Sequence, residues 1–253
     1  MKPTNDNSDQ TTIVVGASRG LGRGIATAFA KAGSPVIAVA RNATALAQLA
    51  ADAITGRIRP EVADAGDPTV PGSLLDRYEP HAVIVVAGAT PLMRPLQQQT
   101  WETFSVNWDA DVKMAFGWLR EALLRPLRPG STVVVVSSGA AVNGSPASGG
   151  YAGAKATQRF IADYARDEAR RAGLGLTITA VLPRMTPAGA VGRSGIRAYA
   201  ARDGLTEQEY LARLGEPLTD EGAGSAVAEL IGMDPAAVAP GYLLTAGGLK
   251  PLP

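Results

Sequence analysis

Short apolar runs alternate with helical patterns along the chain, and this alternation constrains the fold more than any other feature. The runs cover residues 12–16, 36–40, 57–62, 82–87, 132–138, 176–182 and 242–245. Strands that alternate with helices indicate β-α-β units, which assemble into a parallel sheet with helices on both faces. The sequence therefore predicts an α/β fold, a Rossmann-like doubly wound sheet of about seven parallel strands, whose ligands bind beyond the strand carboxyl ends.

A glycine-rich turn follows the first apolar run and precedes a helical pattern over residues 23–32. Its glycines follow the spacing G-x-x-x-G-x-G. Glycine allows a tight turn and a close approach of the backbone to a phosphate, and a helix N-terminus offers free N–H groups to an anion. The pattern predicts a nucleotide-binding turn formed by Gly16, Ser18, Arg19, Gly20, Leu21 and Gly22.

Residues 16–20 also read as a literal G-x-S-x-G, which is the pattern of a serine hydrolase nucleophile. That mechanism needs a histidine after Ser18, with an acid between them in the chain. The single histidine, His81, stands directly before an apolar run. Its place is typical of a strand edge, so the hydrolase interpretation is rejected.

A second group of polar residues is Ser138, Tyr151 and Lys155. Tyr151 and Lys155 are four residues apart, which places them on one face of a helix. A nearby ammonium favours the phenolate and lowers the pKa of a phenol from its ordinary value of about 10. With a hydroxyl at the end of the preceding strand, the trio could exchange a proton with a carbonyl or alcohol oxygen. The alternative is a surface tyrosine packed on a lysine stem.

The glycine turn and this trio together resemble the short-chain dehydrogenase/reductase family in its compact single-domain branch. The resemblance extends from residue 11 to about residue 248 and implies a dinucleotide at the glycine turn. It implies that Tyr151 is the acid/base, that Lys155 binds the nicotinamide ribose and lowers the tyrosine pKa, and that Ser138, not Ser137, orients the substrate oxygen. Asn107 matches a family asparagine whose implied role is to hold a water in a proton relay to Lys155.

Several positions depart from the family pattern. Residues 85–88 read Val-Val-Ala-Gly where the family usually has Asn-Asn-Ala-Gly, Arg184 replaces the glycine of a Pro-Gly pair, and Ala246 replaces an aspartate. Thr186 matches a family threonine only loosely. The remaining cofactor contacts that the resemblance implies are Glu61, Val62, Ala87, Gly88, Pro183 and Thr186, besides Tyr151 and Lys155.

The end of the second predicted strand indicates which dinucleotide binds. Enzymes that prefer NAD usually carry an acid there for the ribose 2′-hydroxyl, but this chain has Ala40, followed by Arg41. Arg41 and Arg19 would suit a 2′-phosphate, because a guanidinium binds phosphate in a bidentate manner. The sequence predicts NADP(H); the alternative is that both arginines are solvated.

Composition excludes several classes of function. A net charge of +1 argues against nucleic acid as a partner, and one histidine without any cysteine argues against a metal site and a thiolate mechanism. No apolar run approaches a membrane span. Residues 1–10 lack an apolar core, so a flexible tail is expected and a signal peptide is not. A cytoplasmic protein of one domain, residues 11–253, is expected.

Two helical patterns, residues 108–124 and 151–172, carry apolar residues around most of their circumference. Such helices are buried on both sides, and the resemblance implies a homo-oligomer, a dimer or tetramer, built on them. Residues 184–217, rich in Gly, Pro and Arg, match the family's mobile substrate loop, and small residues at 139–142 would line the reacting carbon.

The sequence thus predicts an NADP(H)-dependent oxidoreductase of carbonyl reductase type. It would transfer hydride between the nicotinamide and a small-molecule ketone or secondary alcohol, with a tyrosine as acid/base. The alternative is a non-catalytic nucleotide-binding sensor or interaction protein of the same fold, which only the changes at residues 85–86 and at Arg184 support.

Overall fold

The computed structural model describes residues 10–53, 56–125, 127–187 and 189–253. Apart from Gln10, the expected flexible tail of residues 1–10 lies outside the described residues. Within the described chain, one sheet of eight strands has the order β3-β2-β1-β4-β5-β6-β7-β8. The strands are β1 Thr12–Val15, β2 Val36–Ala40, β3 Ile58–Val62, β4 Ala82–Val85, β5 Thr132–Val136, β6 Thr177–Pro183, β7 Gly241–Thr245 and β8 Gly248–Pro251.

Neighbouring strands from β3 through β7 are parallel, which confirms the predicted doubly wound α/β fold. The predicted seven parallel strands are β1 to β7, and the sheet has in addition an eighth strand, β8, which pairs antiparallel with β7. Its sequence, Gly-Leu-Lys-Pro, carries no apolar run. An edge strand can hold such residues because one side of its backbone needs no partner strand.

The central strands are shorter than the apolar runs that predict them, because the last residues of each run lie beyond the paired register of the sheet. β1, β4 and β5 are rich in valine and isoleucine and completely buried, as expected for strands covered on both faces. The predicted runs extended to Gly16, Ala87 and Ser138, whereas the strands end at Val15, Val85 and Val136. The residues left over form the turns beyond the carboxyl ends, where ligands of such sheets bind.

Helices cover both faces of the sheet. One hydrophobic core joins the sheet to α1, α2 and α10, and a second joins its other face to α3, α5 and α7. The helices are α1 Gly20–Lys31, α2 Ala43–Asp52, α3 Thr69–Tyr78, α4 Trp101–Asn107, α5 Lys113–Leu124, α6 Ala140–Asn143, α7 Tyr151–Arg171, α8 Ala190–Arg202, α9 Glu207–Leu214 and α10 Asp220–Ile231.

The helix predicted over residues 108–124 begins differently from the prediction. A π-helical turn, Trp108–Val112, joins α4 to α5 and makes the three segments one continuous helical rod. A π turn inserts a residue into the helix and is frequent at functional sites. Here it turns the side chain of Asp111 into the protein, where it is fully buried.

Two glycines let α1 and α10 approach at backbone distance. A Cβ at Gly24 would lie 2.0 Å from the Asp220 carbonyl oxygen, and one at Gly224 would lie 2.5 Å from the Gly24 carbonyl oxygen. Any larger residue at either position forces the two helices apart. This packing holds α1, and with it the glycine turn at its start, against the sheet.

Candidate active site

The glycine turn is built by close backbone contacts between β1, α1 and the loop after β4. Gly16 has φ +90°, and a Cβ there would lie 2.7 Å from backbone atoms of Ala87. A Cβ at Gly22 would lie 2.2 Å from the Gly16 carbonyl oxygen. Both positions therefore require glycine, and the turn is too compact for side chains to separate a ligand from the backbone.

Among the described residues, the N–H groups at the start of α1 have neither a side-chain cap nor a neighbouring acidic residue in the first turn. The first N–H groups and the positive end of the helix dipole therefore stay available to an anion. Ser18 is half-buried and Arg19 exposed at this end, with Gly20 and Leu21 forming the first residues of the helix.

The neighbouring strand ends form a surface suited to an adenosine. Ala40 pairs with Val62 in the register of β2 and β3. Val62 is 56% exposed, and Arg41 is exposed beside it. The predicted contact Glu61 is already engaged, since its carboxylate accepts from Tyr78 Oη at 2.6 Å and pairs with Arg77 at 3.2 Å. Val62 is thus an exposed apolar side chain at this edge.

Tyr151 and Lys155 occupy the first turns of α7. Lys155 Nζ lies 5.6 Å from the centroid of the Tyr151 ring. The lysine is only 5% exposed, whereas the tyrosine is half-buried. This arrangement differs from a surface tyrosine on a lysine stem, because the ammonium itself is enclosed by protein.

The two serines after β5 have different surroundings. Ser137 is buried and its hydroxyl donates to the Lys155 carbonyl oxygen at 2.7 Å. Ser138 is half-buried and its Oγ accepts from the Ala140 N–H at 3.2 Å, which leaves its O–H able to donate to a substrate. Ser137 therefore attaches α7 to the sheet, whereas the hydroxyl of Ser138 keeps a hydrogen atom that it can donate.

Asn107, the last residue of α4, is completely buried. Its Nδ2 donates to the Ala89 carbonyl oxygen at 2.9 Å and to Asp111 Oδ2 at 3.2 Å. Its Oδ1 has no hydrogen-bond partner among the described residues. The structure brings Asn107 into the same buried group as Lys155, but Asp111 lies between the two side chains.

Two residues that sequence reasoning missed complete this group. Asp111 Oδ2 lies 3.1 Å from Lys155 Nζ, and its Oδ1 accepts from the Ala89 N–H at 2.7 Å. Gln158 Oε1 accepts from Lys155 Nζ at 3.0 Å, and its Nε2 donates to the Asp111 carbonyl oxygen at 2.9 Å. A usable signal was helical spacing, since Asp111 follows Asn107 by four residues and Gln158 follows Lys155 by three.

The loop after β4 is anchored despite the loss of the family's two asparagines. Both backbone polar groups of Ala89 are held, one by Asp111 and one by Asn107. A Cβ at Gly88 would lie 2.8 Å from Asp111 Oδ2, so the carboxylate fits because residue 88 is glycine. Asn107 of α4 and Asp111 of the π turn thus anchor the loop after β4, which the apolar side chains of Val85 and Val86 cannot hold by hydrogen bonds.

The hydrolase interpretation also fails on geometry. His81 immediately precedes β4, whose first residue pairs with Thr12 in the register of β1. Ser18 lies beyond the opposite, carboxyl end of β1. The two side chains therefore lie at opposite edges of the sheet, and Ser18 has no histidine within reach.

A pocket of about 380 Å³ lies between the ends of β6 and β7 and helix α9. Arg184, Met185, Leu211, Leu214 and Leu218 are among its lining residues. It adjoins Ser138, since a Cβ built on the next residue, Gly139, would be 3.9 Å from the Arg184 Cα. Pro183 and Thr186, the two implied cofactor contacts here, flank Arg184 and Met185 in the chain.

Helix α8 is tied to the segment that leads into Tyr151. Tyr199 Oη lies 2.8 Å from Ser145 Oγ and accepts from the Ala147 N–H at 3.3 Å. Its ring stacks on Tyr210 of α9 with centroids 6.3 Å apart. Helix α9, which lines the pocket, is therefore connected through α8 to the segment that precedes Tyr151.

The described ranges contain neither a metal-binding cluster nor a membrane-spanning helix. They hold no group of three or more His, Cys, Asp or Glu that could bind a metal ion. Nor is any helix within them long and apolar enough to cross a bilayer.

Fold and site together define a Rossmann-like protein with a dinucleotide-type glycine turn and a Ser-Tyr-Lys group. A family model described as short chain dehydrogenase matches residues 10–195, well over half of the chain. The protein therefore belongs to the short-chain dehydrogenase/reductase family of oxidoreductases.

Relatives in this family include two fungal proteins. Hydroxynaphthalene reductase Arp2 of Aspergillus fumigatus is 30% identical over 184 residues, which cover 70% of this chain and 66% of that protein. The hydroxynaphthalene reductase-like protein Arp2 of Metarhizium majus is 30% identical over 183 residues, which cover 69% of this chain and 67% of that protein. The chain thus spans about two thirds of the length of these relatives.

A solved structure also has the same fold. It is a variant of the actinorhodin polyketide ketoreductase with NADPH, and it superposes with a TM-score of 0.81. The match covers 95% of this chain and 97% of that chain, at 19% sequence identity. At this identity the likeness shows the fold alone.

Proposed function

We propose that the protein is an NADP(H)-dependent oxidoreductase of carbonyl reductase type, acting on a ketone or secondary alcohol. The observation that carries this proposal is the placement of buried Lys155 beside the Tyr151 ring, next to the strand end that bears Ser138. Ser137, the neighbour of Ser138, bonds to the Lys155 carbonyl oxygen there. A chain of contacts links them to the glycine turn, since Gly16 meets Ala87 and Asp111 connects Ala89 to Lys155.

The residues at this edge fit NADP(H). The glycine turn and the uncapped start of α1 suit a pyrophosphate, and Arg19 and Arg41 suit a 2′-phosphate where an acid is absent. Lys155 would hold the nicotinamide ribose, and the likeness to a ketoreductase solved with NADPH supports the choice. The other proposed contacts are Glu61, Val62, Ala87, Gly88, Pro183 and Thr186.

The cofactor, when bound, supplies or accepts the hydride, and the chain supplies the proton. Ser138 and Tyr151 would donate hydrogen bonds to the carbonyl oxygen of the substrate. In reduction Tyr151 Oη gives its proton to this oxygen, which becomes the hydroxyl, and in oxidation it takes the proton back. The Lys155 ammonium favours the phenolate left on Tyr151.

The substrate would lie between Ser138 and the pocket under α9. Residues 139–142 present small side chains, and the pocket lining includes Met185 and three leucines. The names of the relatives, hydroxynaphthalene reductases and a polyketide ketoreductase, support a bulky or aromatic ketone. Helices α8 and α9, within residues 184–217, would form the substrate loop.

The test is consumption of NADPH with a panel of aromatic ketones, keto esters and quinones. We expect turnover with at least one of them, and Tyr151→Phe should lower kcat by about 10²-fold or more because the proton donor is lost. Tyr164→Phe, on the exposed face of the same helix, is the matched control and should leave kcat unchanged.

Binding of NADPH, followed by its fluorescence, should change less than about threefold in Tyr151→Phe, which corresponds to under 1 kcal/mol. Tight NADPH binding without turnover of any compound would contradict the proposal. It would favour a nucleotide-binding sensor of the same fold.

We also propose a homo-oligomer built on α5 and α7. Their inner faces pack on the sheet, yet three of their aromatic side chains, and Trp108 of the adjoining π turn, are exposed on the outside. These are Trp108 (40%), Phe116 (57%), Phe160 (57%) and Tyr164 (65%). A row of exposed aromatics on adjacent helices supports burial against a second copy of the chain.

A further inference from the structure

We propose that Asp111 is a positioning residue of this site: its carboxylate fixes the Lys155 ammonium and sets the pH at which Tyr151 exchanges its proton. The inference rests on the proposed function. It adds a residue that neither the family resemblance nor the Ser-Tyr-Lys group contains. Asp111 itself would touch neither the substrate nor the reacting atoms, and it would act through Lys155.

The first support is that both oxygen atoms of the Asp111 carboxylate have hydrogen-bond or ion-pair partners. Oδ1 accepts from the Ala89 N–H, and Oδ2 accepts from Asn107 Nδ2 and pairs with Lys155 Nζ. The side chain is 0% exposed. A buried charge is tolerated only when such partners compensate its lost hydration, so the ammonium and the carboxylate depend on one another.

The second support is the position of the carboxylate relative to Asn107. The family relay would require a water between this asparagine and Lys155, but here the two side chains are bridged by Asp111 through contacts of 3.2 and 3.1 Å. A fixed anion therefore stands next to Lys155. The Asp111 carboxylate also holds Ala89, so it links the lysine to the loop beside the glycine turn.

Charge determines the expected effect on the reaction. Lys155 alone favours loss of the Tyr151 proton, whereas Lys155 paired with a carboxylate is a neutral pair that favours it less. Neutralising Asp111 makes the first deprotonation of the Tyr151–Lys155 pair easier, whichever of the two groups loses that proton. The midpoint of the pH profile should move to lower pH.

Few other charged groups surround this pair. Lys155 lies on the same helix as Tyr151, and Asp111 faces it from the π turn. Glu102 of α4, Asp109 of the π turn and Lys113 of α5 are exposed. The neighbouring segments contribute Arg184, which lies near Gly139, Arg94, whose backbone bridges to Ser148, and Tyr199, whose hydroxyl contacts Ser145.

The experiment compares Asp111→Asn with Asp109→Asn in the full chain. Asp109 lies in the same turn and carries the same charge, but it is exposed. We expect the kcat/KM midpoint for alcohol oxidation to fall by about 1 pH unit in Asp111→Asn and to stay within about 0.2 unit in Asp109→Asn. A loss of activity that is equal at all pH values, with an unmoved midpoint, would overturn the proposal.

A second variant keeps the proposal testable if Asp111→Asn fails to fold. Gln158→Glu places an added carboxylate on the other side of Lys155 Nζ, where Gln158 Oε1 now accepts at 3.0 Å. The midpoint should then rise by about 1 unit. A midpoint that falls or does not move in this variant contradicts the assigned role.

A turnover-independent measurement separates this inference from the proposed function. The ionisation of Tyr151 is followed by ultraviolet absorbance, as the difference between each protein and its Tyr151→Phe partner. The same downward shift in Asp111→Asn is expected even if the substrate panel contains no substrate. Absence of turnover with the shift present would refute only the proposed function, and absence of the shift would refute the role of Asp111.

Discussion

Single residues at the adenosine edge should decide which dinucleotide binds. Because residue 40 is alanine, the end of β2 has no carboxylate that could accept a hydrogen bond from a ribose hydroxyl. Arg41, the next residue, is exposed. A guanidinium gains more from a phosphate than from a hydroxyl because the hydrogen bonds are charge-assisted. The proposed preference for NADP(H) would therefore depend on one or two side chains and can be tested one side chain at a time.

Arg41→Ala should weaken NADPH binding by about tenfold and leave NADH binding within about twofold. The measurement is the Kd of each cofactor by fluorescence titration. Arg171→Ala removes an exposed arginine from the far end of α7 and should change neither Kd. An equal loss of affinity for NADPH and NADH in Arg41→Ala would show that Arg41 does not bind the 2′-phosphate.

His81 should make folding stability depend on pH. Burial lowers the pKa of His81 below its ordinary value of 6.5. Since the unfolded chain then binds more protons, stability is full above the unfolded pKa and falls as the pH drops from about 7 towards the folded value. Urea unfolding at several pH values should show this slope, and His81→Gln should flatten it because the chain has one histidine. A slope equal in both proteins would contradict the assignment.

At the scale of elements, the site depends on how closely α1 can approach α10. The two helices meet at Gly24 and Gly224, where backbone rather than side chains forms the contact. The glycine turn continues directly into α1, so a displaced α1 would also displace the phosphate site. Stability and cofactor binding are thus coupled through one helix pair.

Gly24→Ala should lower the free energy of unfolding by about 2 kcal/mol, because its Cβ would overlap the Asp220 carbonyl. Gly117→Ala is the control, since its Cβ would lie 3.9 Å from the closest atom, Pro71 Cγ. This change should stabilise α5 by roughly 0.5 to 1 kcal/mol. Denaturant unfolding checks both, and a neutral Gly24→Ala would show that the helices can separate without cost.

At the scale of the whole molecule, the outer faces of α5 and α7 should determine assembly. Replacing Phe160 by glutamate places a charge within the exposed aromatic row and should convert the proposed homo-oligomer to monomers. Light scattering on a size-exclusion column measures the mass. Leu96→Glu changes a residue that is 71% exposed outside the row and should leave the mass unaltered. If the protein without any substitution is already a monomer, the proposed assembly is contradicted.

The sequence by itself predicted the parallel sheet and the residues of the proposed site. Alternating apolar and helical segments predict the parallel strands because burial on both faces demands continuous apolar runs. Local spacing predicts the glycine turn and the Tyr151–Lys155 pair because four residues make about one helical turn. These features depend on short-range geometry, which a sequence pattern expresses directly.

Only the tertiary structure decided how this site is held. In the sequence Asp111 looks like an ordinary helix residue, but in the structure a π turn directs it towards Lys155. Gln158 likewise looks like a polar surface residue, but it is only 1% exposed. Likewise, β8 exists only because β7 provides an edge for pairing. Contacts between segments far apart in the chain follow from packing in three dimensions, which the local pattern of either segment does not contain.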